Sequence, residues 1–168
     1  MKSACGGKIV RGEMMRRYGW SGGKKGPYFE GWYLKCQTRE GEALALIPAF
    51  HIDGEGRRSA SLQVLADGGS WWLEYPAGEF QASAAPFQVR VGQNIFSDSG
   101  AVIRQGKYRL AAELLEGRGQ PLRAPAQGAM GRTIHESLRS SMRFRLWQGE
   151  RLLLDHTDSW ASFEYAAE

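Results

Sequence analysis

The residues of this sequence best suited to chemistry lie in the segment YFEGWYLK, residues 28–35. Strand alternation places Glu30, Trp32, Leu34 and Cys36 on one face of the strand that this segment opens. A carboxyl group that shares a buried face with apolar side chains must find a hydrogen-bonding partner or stay protonated. Glu30 is therefore either a structural glutamate, paired with a backbone amide or an arginine, or a proton donor at the mouth of an apolar pocket.

Short strand patterns separated by turn signals follow this segment along the chain. The run from Ala43 to Phe50 is almost wholly apolar, which is typical of a strand covered on both faces. Residues 53–54 (Asp-Gly) and 67–69 (Asp-Gly-Gly) have the composition of tight hairpin turns. Because helical periodicity is almost absent, the pattern predicts an all-β fold in which successive antiparallel hairpins form an up-and-down barrel. At most one short helix is expected, and residues 133–140 could hold it.

The same pattern predicts the domain organisation and the core. Residues 1–26 carry no sustained periodicity and end in GWSGGKKG, so we expect a flexible N-terminal lead-in. Residues 27–168 are expected to form a single barrel domain, since the chain is long enough for one core. A barrel of about eight strands has room for packed side chains or for one small ligand. The apolar residues predicted to be buried are Trp32, Leu34, Leu62, Val64, Val89, Phe144 and Leu154.

Composition and charge exclude several classes of protein. Hydrophobic residues make up 42% of the chain and the mean hydropathy is -0.44, as in an ordinary globular domain. No apolar run reaches the ~20 residues of a membrane helix, and the N-terminus lacks the apolar core of a signal peptide, so the expected compartment is the cytoplasm. The net charge is +4, but the basic residues are scattered, and we expect no nucleic acid partner. Cys5 and Cys36 are expected to be reduced thiols.

Several familiar enzyme signatures are incomplete or missing. His135 and Glu136 begin like a zinc protease motif, but Arg139 stands where the second histidine ligand is required. No GxSxG nucleophile elbow occurs, and no catalytic-cysteine signature surrounds Cys36. Residues 155–158 (Asp-His-Thr-Asp) could ligate a metal, although a turn with a capping aspartate is the commoner meaning of such a cluster. We therefore predict no metal and no cofactor. Because neither a structural metal nor a disulfide is expected, a chelator or a reductant should leave the melting temperature unchanged.

Four motifs in a fixed order resemble those of a known family. They are FEGWY at residues 29–33, SLQVL at 61–65, EYPAGEF at 74–80 and GQNIFSDSG at 92–100. Together they look like the N-terminal half of the tocopherol cyclase family, and FEGWY is also similar to the EWWY-type signature of the carotenoid hydratase group. The resemblance covers about residues 27–104. It implies a lipocalin-like β-barrel and a prenylated quinol or similar isoprenoid as the apolar small-molecule ligand.

The resemblance also implies a reaction. In that family the cyclase protonates a prenyl double bond, and the phenol oxygen captures the cation to close a chromanol ring. This chemistry requires a protonated carboxylic acid in a dry pocket and aromatic faces that stabilise positive charge. Glu30 is then the catalytic residue of a tocopherol cyclase-like isomerase. The residues expected to bind the ligand are Trp32, Tyr33, Gln63, Trp72, Glu74 and Asn94.

Two further expectations come from the family's second lipocalin-like half, which has no counterpart in this sequence. The first is an alternative function, in which the chain is a non-catalytic binding module or a single-domain relic of the two-domain family. The second is a homodimer, in which one barrel covers the apolar patch of another. The candidate surfaces are residues 71–75 and 160–165, which place aromatics on both strand faces. These aromatics could instead cover the barrel ends of a monomer.

Overall fold

The fold is built from twelve β-strands and one 3-10 helix within the described part of the chain. The structure, a computed structural model, describes residues 20, 25–84, 86–97, 99–117, 121–122 and 133–167, without the side chains of 114, 116–117, 121–122, 133–140 and 158–167. The strands are β1 (Tyr28–Gln37), β2 (Ala43–Ile52), β3 (Arg58–Ala66), β4 (Gly69–Pro76), β5 (Phe80–Ala84), β6 (Phe87–Val91), β7 (Asn94–Ser97), β8 (Gly100–Gln105), β9 (Tyr108–Gly117), β10 (Pro121–Leu122), β11 (Thr133–Gln148) and β12 (Arg151–Ala167), and the 3-10 helix spans Ala77–Glu79.

All strand pairs are antiparallel and belong to one sheet. The order is β4-β3-β2-β1-β12-β11-β9-β8-β7-β6-β5, and β10 adds to β11. Two meanders, β1 to β4 and β5 to β9, are therefore joined through the β11–β12 hairpin. The predicted all-β, antiparallel fold with mainly hairpin connections is confirmed. No helix in the described residues is long and apolar enough to cross a membrane.

The barrel expected from the sequence is not closed by strand pairing. β4 and β5, the two ends of the sheet, are consecutive in the chain and are linked by the 3-10 helix, but no ladder joins them in the described residues. A side-chain hydrogen bond crosses this seam instead. Asn94 Nδ2, on β7, donates to the Tyr75 hydroxyl, on β4, over 3.0 Å. The sheet is thus curled on itself and open at the seam.

The inward faces of the curled sheet meet in a large hydrophobic cluster, which contains buried residues of β1, β3, β6, β7 and β11 among others. A smaller cluster of Tyr28, Phe50 and Ile52 adjoins it through Trp20 and Phe80. Period-two alternation explains this, because every second side chain of each strand points inward. Five of the predicted core residues are buried, and two, Val64 and Leu154, are partly buried and pack against the cluster. The five are Trp32, Leu34, Leu62, Val89 and Phe144.

Residues 133–140 do not form the short helix that the sequence allowed there. These residues form the first half of β11 and pair with the end of β12, from Thr133 opposite Ala167 to Ser140 opposite Ala161. Local helix propensity is weak, and a long hairpin partner that satisfies the backbone outweighs it. Of the predicted lead-in, Trp20 and residues 25–26 are described; Trp20 packs against the aromatic side chains of the interior.

Candidate functional site

Glu30 is completely buried on the inward face of β1, with 0% of its surface exposed. Tyr28 and Trp32, two residues away in either direction, are also buried on that face. Phe50 of β2 lies directly opposite Glu30 in the register. The Tyr28 hydroxyl donates a hydrogen bond to Glu30 Oε2. The predicted position of the carboxyl group, among apolar and aromatic side chains of one strand face, is therefore where the structure places it.

Aromatic rings pack together around this position. The Phe50 and Phe80 rings are 5.0 Å apart, centre to centre, and the Trp20 ring lies 5.3 Å from Phe50 and 5.1 Å from Phe80. The Trp32 ring extends the group to Phe80 at 6.4 Å and to Phe87 at 6.0 Å. These separations are those of favourable ring pairs. We call these residues the aromatic cluster: Trp20, Tyr28, Trp32, Phe50, Phe80 and Phe87.

The combination of an acid, a phenol and several aromatic faces has a definite chemical capacity. A carboxylic acid can donate a proton to a ligand within hydrogen-bonding reach, and a neighbouring hydroxyl donor stabilises the carboxylate that remains. Aromatic faces attract a cation that develops nearby. An apolar surrounding strengthens each of these interactions, because little water is present to screen them.

The outward face of the same strand has a different character. Gly31, between Glu30 and Trp32, leaves the space into which the Phe29 side chain folds, since a Cβ atom at Gly31 would lie 2.7 Å from Phe29 Cζ. The Phe29 ring then reaches the His51 ring of β2, 5.4 Å away. The glycine of the FEGWY motif thus lets one aromatic side chain cover the outer surface of β1.

A second polar group, which the sequence did not predict, lies on this outward face across β2, β3 and β4. His51 Nε2 is 2.8 Å from Ser61 Oγ, and the Trp72 ring lies 5.6 Å from the imidazole. Burial lowers the pKa of His51, and the negative charge of Glu74 partly opposes this effect. The turn residues 53–57 between β2 and β3 set the register that brings His51 next to Ser61, so only a correct hairpin register would have revealed the pair.

The structure divides the predicted site residues between the two faces of the sheet. Trp32 lies beside Glu30 on the inward face. Tyr33, one residue further along β1, has the opposite parity and faces outward. Gln63 and Trp72 are paired across β3 and β4 on the outward face, and Glu74 follows on that face of β4. The sheet therefore separates the outward residues from the aromatic cluster.

Asn94 is buried and forms three hydrogen bonds within the protein. Its Nδ2 donates to the Tyr75 hydroxyl and to the carbonyl oxygen of Val91, each over 3.0 Å. Its Oδ1 accepts a bond of 2.9 Å from the backbone N–H of Arg104. These contacts link β4, β6, β7 and β8, so the side chain spans the open seam and is already engaged on both its amide atoms.

The other residues that were considered for chemistry, Cys36 and Asp155, have structural surroundings. Burial raises the pKa of the Cys36 thiol to about 12, which keeps it protonated and a poor nucleophile at neutral pH. Asp155, from the cluster that could have ligated a metal, accepts bonds of 2.8 and 2.6 Å from Arg143, and these hold the pKa of Asp155 below its usual range. No three histidine, cysteine or carboxylate side chains group as a metal site in the described residues. Independence from metals and cofactors stays a prediction.

Comparisons with known proteins identify a fold but no family. No protein-family model matches the sequence, and no curated protein matches it. Among solved structures, the chain is similar to the crystal structure of a protein described as a candidate AttH from Nitrosomonas europaea. The TM-score is 0.55 at 13% sequence identity, and the match covers 100% of this chain. The chain spans 58% of the length of that protein, and at this identity the likeness shows a shared fold alone.

Proposed function

We propose that this protein binds a prenylated quinol or similar isoprenoid and that it is a tocopherol cyclase-like isomerase with Glu30 as the proton donor. The observation that carries the proposal is the complete burial of Glu30 between Tyr28 and Trp32. A buried carboxyl group costs folding free energy unless it is hydrogen-bonded, and such groups concentrate at functional sites. The similarity in fold to the longer Nitrosomonas europaea protein is not evidence for this activity.

The reaction balances with the residues of the site alone. The Glu30 carboxyl group transfers its proton to the less substituted carbon of a prenyl double bond, and a tertiary cation forms on the neighbouring carbon. The phenol oxygen of the ligand then forms a C–O bond to that carbon, and the phenol proton returns to the Glu30 carboxylate. The step is an isomerisation without net oxidation, so its electron balance requires no redox partner.

Neighbouring side chains take defined roles in this proposal. Tyr28, which donates a hydrogen bond to Glu30, stabilises the carboxylate after proton transfer. Trp32 and the other rings of the aromatic cluster favour the cation through their faces. Ligand contact is thereby assigned to the inward residues. Tyr33, Gln63, Trp72 and Glu74 lie on the outward face of the sheet, across from this ligand.

A non-catalytic binding module is the second candidate function, and one observation favours it. The rings of the aromatic cluster pack on one another, with Phe50 and Phe80 only 5.0 Å apart. A ring whose face is covered by another ring must move before it can stabilise a cation on a ligand. Under this alternative the interior accepts an isoprenoid chain by displacement of rings, without proton transfer.

A turnover assay in deuterated water tests the first proposal and separates it from the second. The substrate is a hydroquinone with a prenyl chain ortho to one hydroxyl group, and the product is the chromanol, separated by chromatography. Proton-initiated closure places one deuterium on the carbon next to the new C–O bond, which mass spectrometry detects. The variant Glu30→Gln should lose at least about a hundredfold in rate, as expected for a missing general acid. Glu42→Gln, in the exposed turn after β1, is the matched control and should retain full activity.

The outcomes are distinct. Chromanol formation that Glu30→Gln abolishes, with ligand binding by tryptophan fluorescence retained, supports the enzyme. Binding without any chromanol supports the binding module. Chromanol formation at equal rates in the wild type and in Glu30→Gln rules out Glu30 as the proton donor.

The oligomeric state and the cellular localisation of the protein are also proposals. A homodimer could form through β4, an end strand of the sheet on which Trp71 and Trp72 are 50% and 55% exposed. Light scattering at micromolar concentration tests it, and a monomeric mass that the Trp72→Ala variant leaves unchanged contradicts it. The second predicted surface, residues 160–165, lies outside the described side chains. Localisation in the cytoplasm stays a prediction for fractionation experiments.

A further inference from the structure

Two hairpin turns lie side by side at one end of the sheet segment formed by β8, β9, β11 and β12. The turn at residues 106–107 joins β8 to β9, and the turn at residues 149–150 joins β11 to β12. The backbone N–H of Gly149 donates to the carbonyl oxygen of Lys107 over 2.9 Å, which locks the two turns together. The side chains around these turns therefore form one continuous surface, which we call the hairpin-tip surface: Arg104, Lys107, Arg109, Trp147, Leu152 and Leu153.

Two arginines of this surface have no acidic partner among the residues that the structure describes. Arg104 and Arg109 stand directly opposite each other on β8 and β9, and like charges in that position destabilise a sheet. Neither forms an ion pair within the described residues. The Arg109 guanidinium lies 3.9 Å from the centre of the Trp147 ring, which orients the charge without neutralising it. An external anion would relieve the repulsion between the two arginines.

The acidic residues of β9 and β12 lie further from the turns. Glu113 Oε2 is 3.8 Å from Arg145, and Asp155 forms a bidentate pair with Arg143. The positive charges of Arg143 and Arg145 are therefore paired with carboxylates. At the turns themselves, the acid Glu150 faces solvent, as do Lys107 and Arg151. The hairpin-tip surface thus keeps an excess of basic side chains beside its apolar ones.

Aliphatic side chains are exposed at the same place. Leu152, opposite Trp147 in the register, is 48% exposed, and Leu153 is 41% exposed. The register between β11 and β12 shifts next to these residues, and a bulge of this kind changes the direction of a side chain. The ring of Tyr108 is exposed at the start of β9, with Lys107 Nζ 5.7 Å from its centre. Large apolar side chains ringed by basic ones are typical of an interaction surface.

We propose that the hairpin-tip surface docks on the surface of a bilayer that contains anionic phospholipids. Arg104, Arg109 and Lys107 contact the lipid phosphates, while Leu152 and Leu153 enter the boundary between headgroups and acyl chains. Amphipathic rings such as those of Trp147 and Tyr108 are enriched at that depth in membrane proteins. A nucleic acid would use the arginines but would leave the two leucines without a role, since its phosphates and bases need charge and aromatic stacking. This inference does not depend on the proposed function.

Co-sedimentation of the full chain with vesicles tests the inference. Phosphatidylcholine vesicles with and without phosphatidylglycerol are the probes, and binding should require the anionic lipid and should weaken with added salt. Each basic side chain near a membrane surface accounts for about a fivefold change in partitioning, so Arg104→Gln with Arg109→Gln should reduce binding by about 25-fold. Leu152→Ser with Leu153→Ser should also reduce it, because the apolar contribution is lost.

Matched controls come from other parts of the same sheet. Arg58→Gln removes an exposed arginine at the start of β3, and Leu115→Ser removes an exposed leucine of β9. Both controls should bind like the wild type, and near-UV circular dichroism verifies that every variant is folded. Absence of binding to anionic vesicles, equal losses in the variants and the controls, or binding to an oligonucleotide duplex in place of vesicles would each overturn the inference.

Discussion

The hydroxyl group of Tyr28 donates a hydrogen bond to the carboxyl group of Glu30 inside the buried face of β1. Donor and acceptor are two residues apart, so strand geometry itself brings them to the same side. The short motif from Tyr28 to Trp32 therefore carries an acid, its hydrogen-bond donor and an aromatic neighbour on a single face. The site depends less on the register between strands than a site assembled from several strands would.

The Tyr28→Phe variant should be less stable than the wild type by about 1–3 kcal/mol. The substitution keeps the buried ring but removes one donor from a buried carboxyl group, and that is the usual cost of a lost partner. Tyr108→Phe, which removes a hydroxyl from an exposed ring, is the control and should change stability by no more than about 0.5 kcal/mol. Urea denaturation measures both, and equal midpoints for Tyr28→Phe and the wild type would show that the bond contributes nothing.

Replacement of Asn94 by alanine should open the seam between the two ends of the sheet. The variant loses the bonds to Tyr75 and Val91, and it leaves the backbone N–H of Arg104 without its acceptor. Loss of buried partners of this kind costs about 2 kcal/mol or more. Hydrogen exchange should accelerate at Arg104 and along β7 before the rest of the sheet is affected. Unchanged exchange there would mean that the bonds of Asn94 do not hold the seam.

The sequence predicts the face of a side chain most reliably when the prediction needs only the strand that carries it. The inward parity of Glu30, Trp32 and Leu34 follows from alternation within β1 and needs no knowledge of neighbouring strands. The face of Gln63 relative to Glu30 depends on two successive hairpin registers, and that of Trp72 on three. A shift of one residue in any of these turns would reverse the face, so residue type alone placed these side chains near the ligand without support from geometry.

Other features could not be predicted because distant parts of the chain decide them. Residues 133–140 are a strand since the end of β12 pairs with them, and no local pattern contains that partner. The same holds for the bonds of Asn94, which join four strands, and for the open seam between β4 and β5. Non-local pairing of this kind outweighs the weak local preferences of each segment.

Gly100 should be the least replaceable of the glycines in the described strands. Its φ is +133°, and a Cβ atom there would overlap the backbone carbonyl oxygen of Ala112 on β9. Side chains avoid that backbone region, and the neighbouring backbone cannot yield, so Gly100→Ala should cost about 3 kcal/mol or more. Gly54→Ala, in the turn after β2 with open space around it, is the control and should lower the melting temperature little. Similar melting temperatures for the two variants would contradict this account.

Stability should fall on mild acidification because of His51. Burial lowers its pKa in the folded state below the ordinary value of 6.5, so the unfolded chain takes up a proton first as the pH falls. The full stability is present above that value and declines as the pH falls through the lower pKa of the folded state. Unfolding midpoints in urea at about pH 7.5 and 5.5 measure the decline. The His51→Gln variant, which can still bond to Ser61, should show a smaller difference between the two midpoints.

The Glu74 carboxylate gives an independent check on the same histidine. Its charge raises the pKa of His51 and partly offsets burial, so Glu74→Gln should lower that pKa further and steepen the loss of stability at low pH. Titration of the imidazole C–H resonances by NMR reports the pKa directly, with Glu42→Gln as a control for a change of net charge. If Glu74→Gln raised the pKa of His51, or left it at the wild-type value, the charge of Glu74 would not be what raises the pKa of this imidazole. The pH dependence would then arise from burial alone.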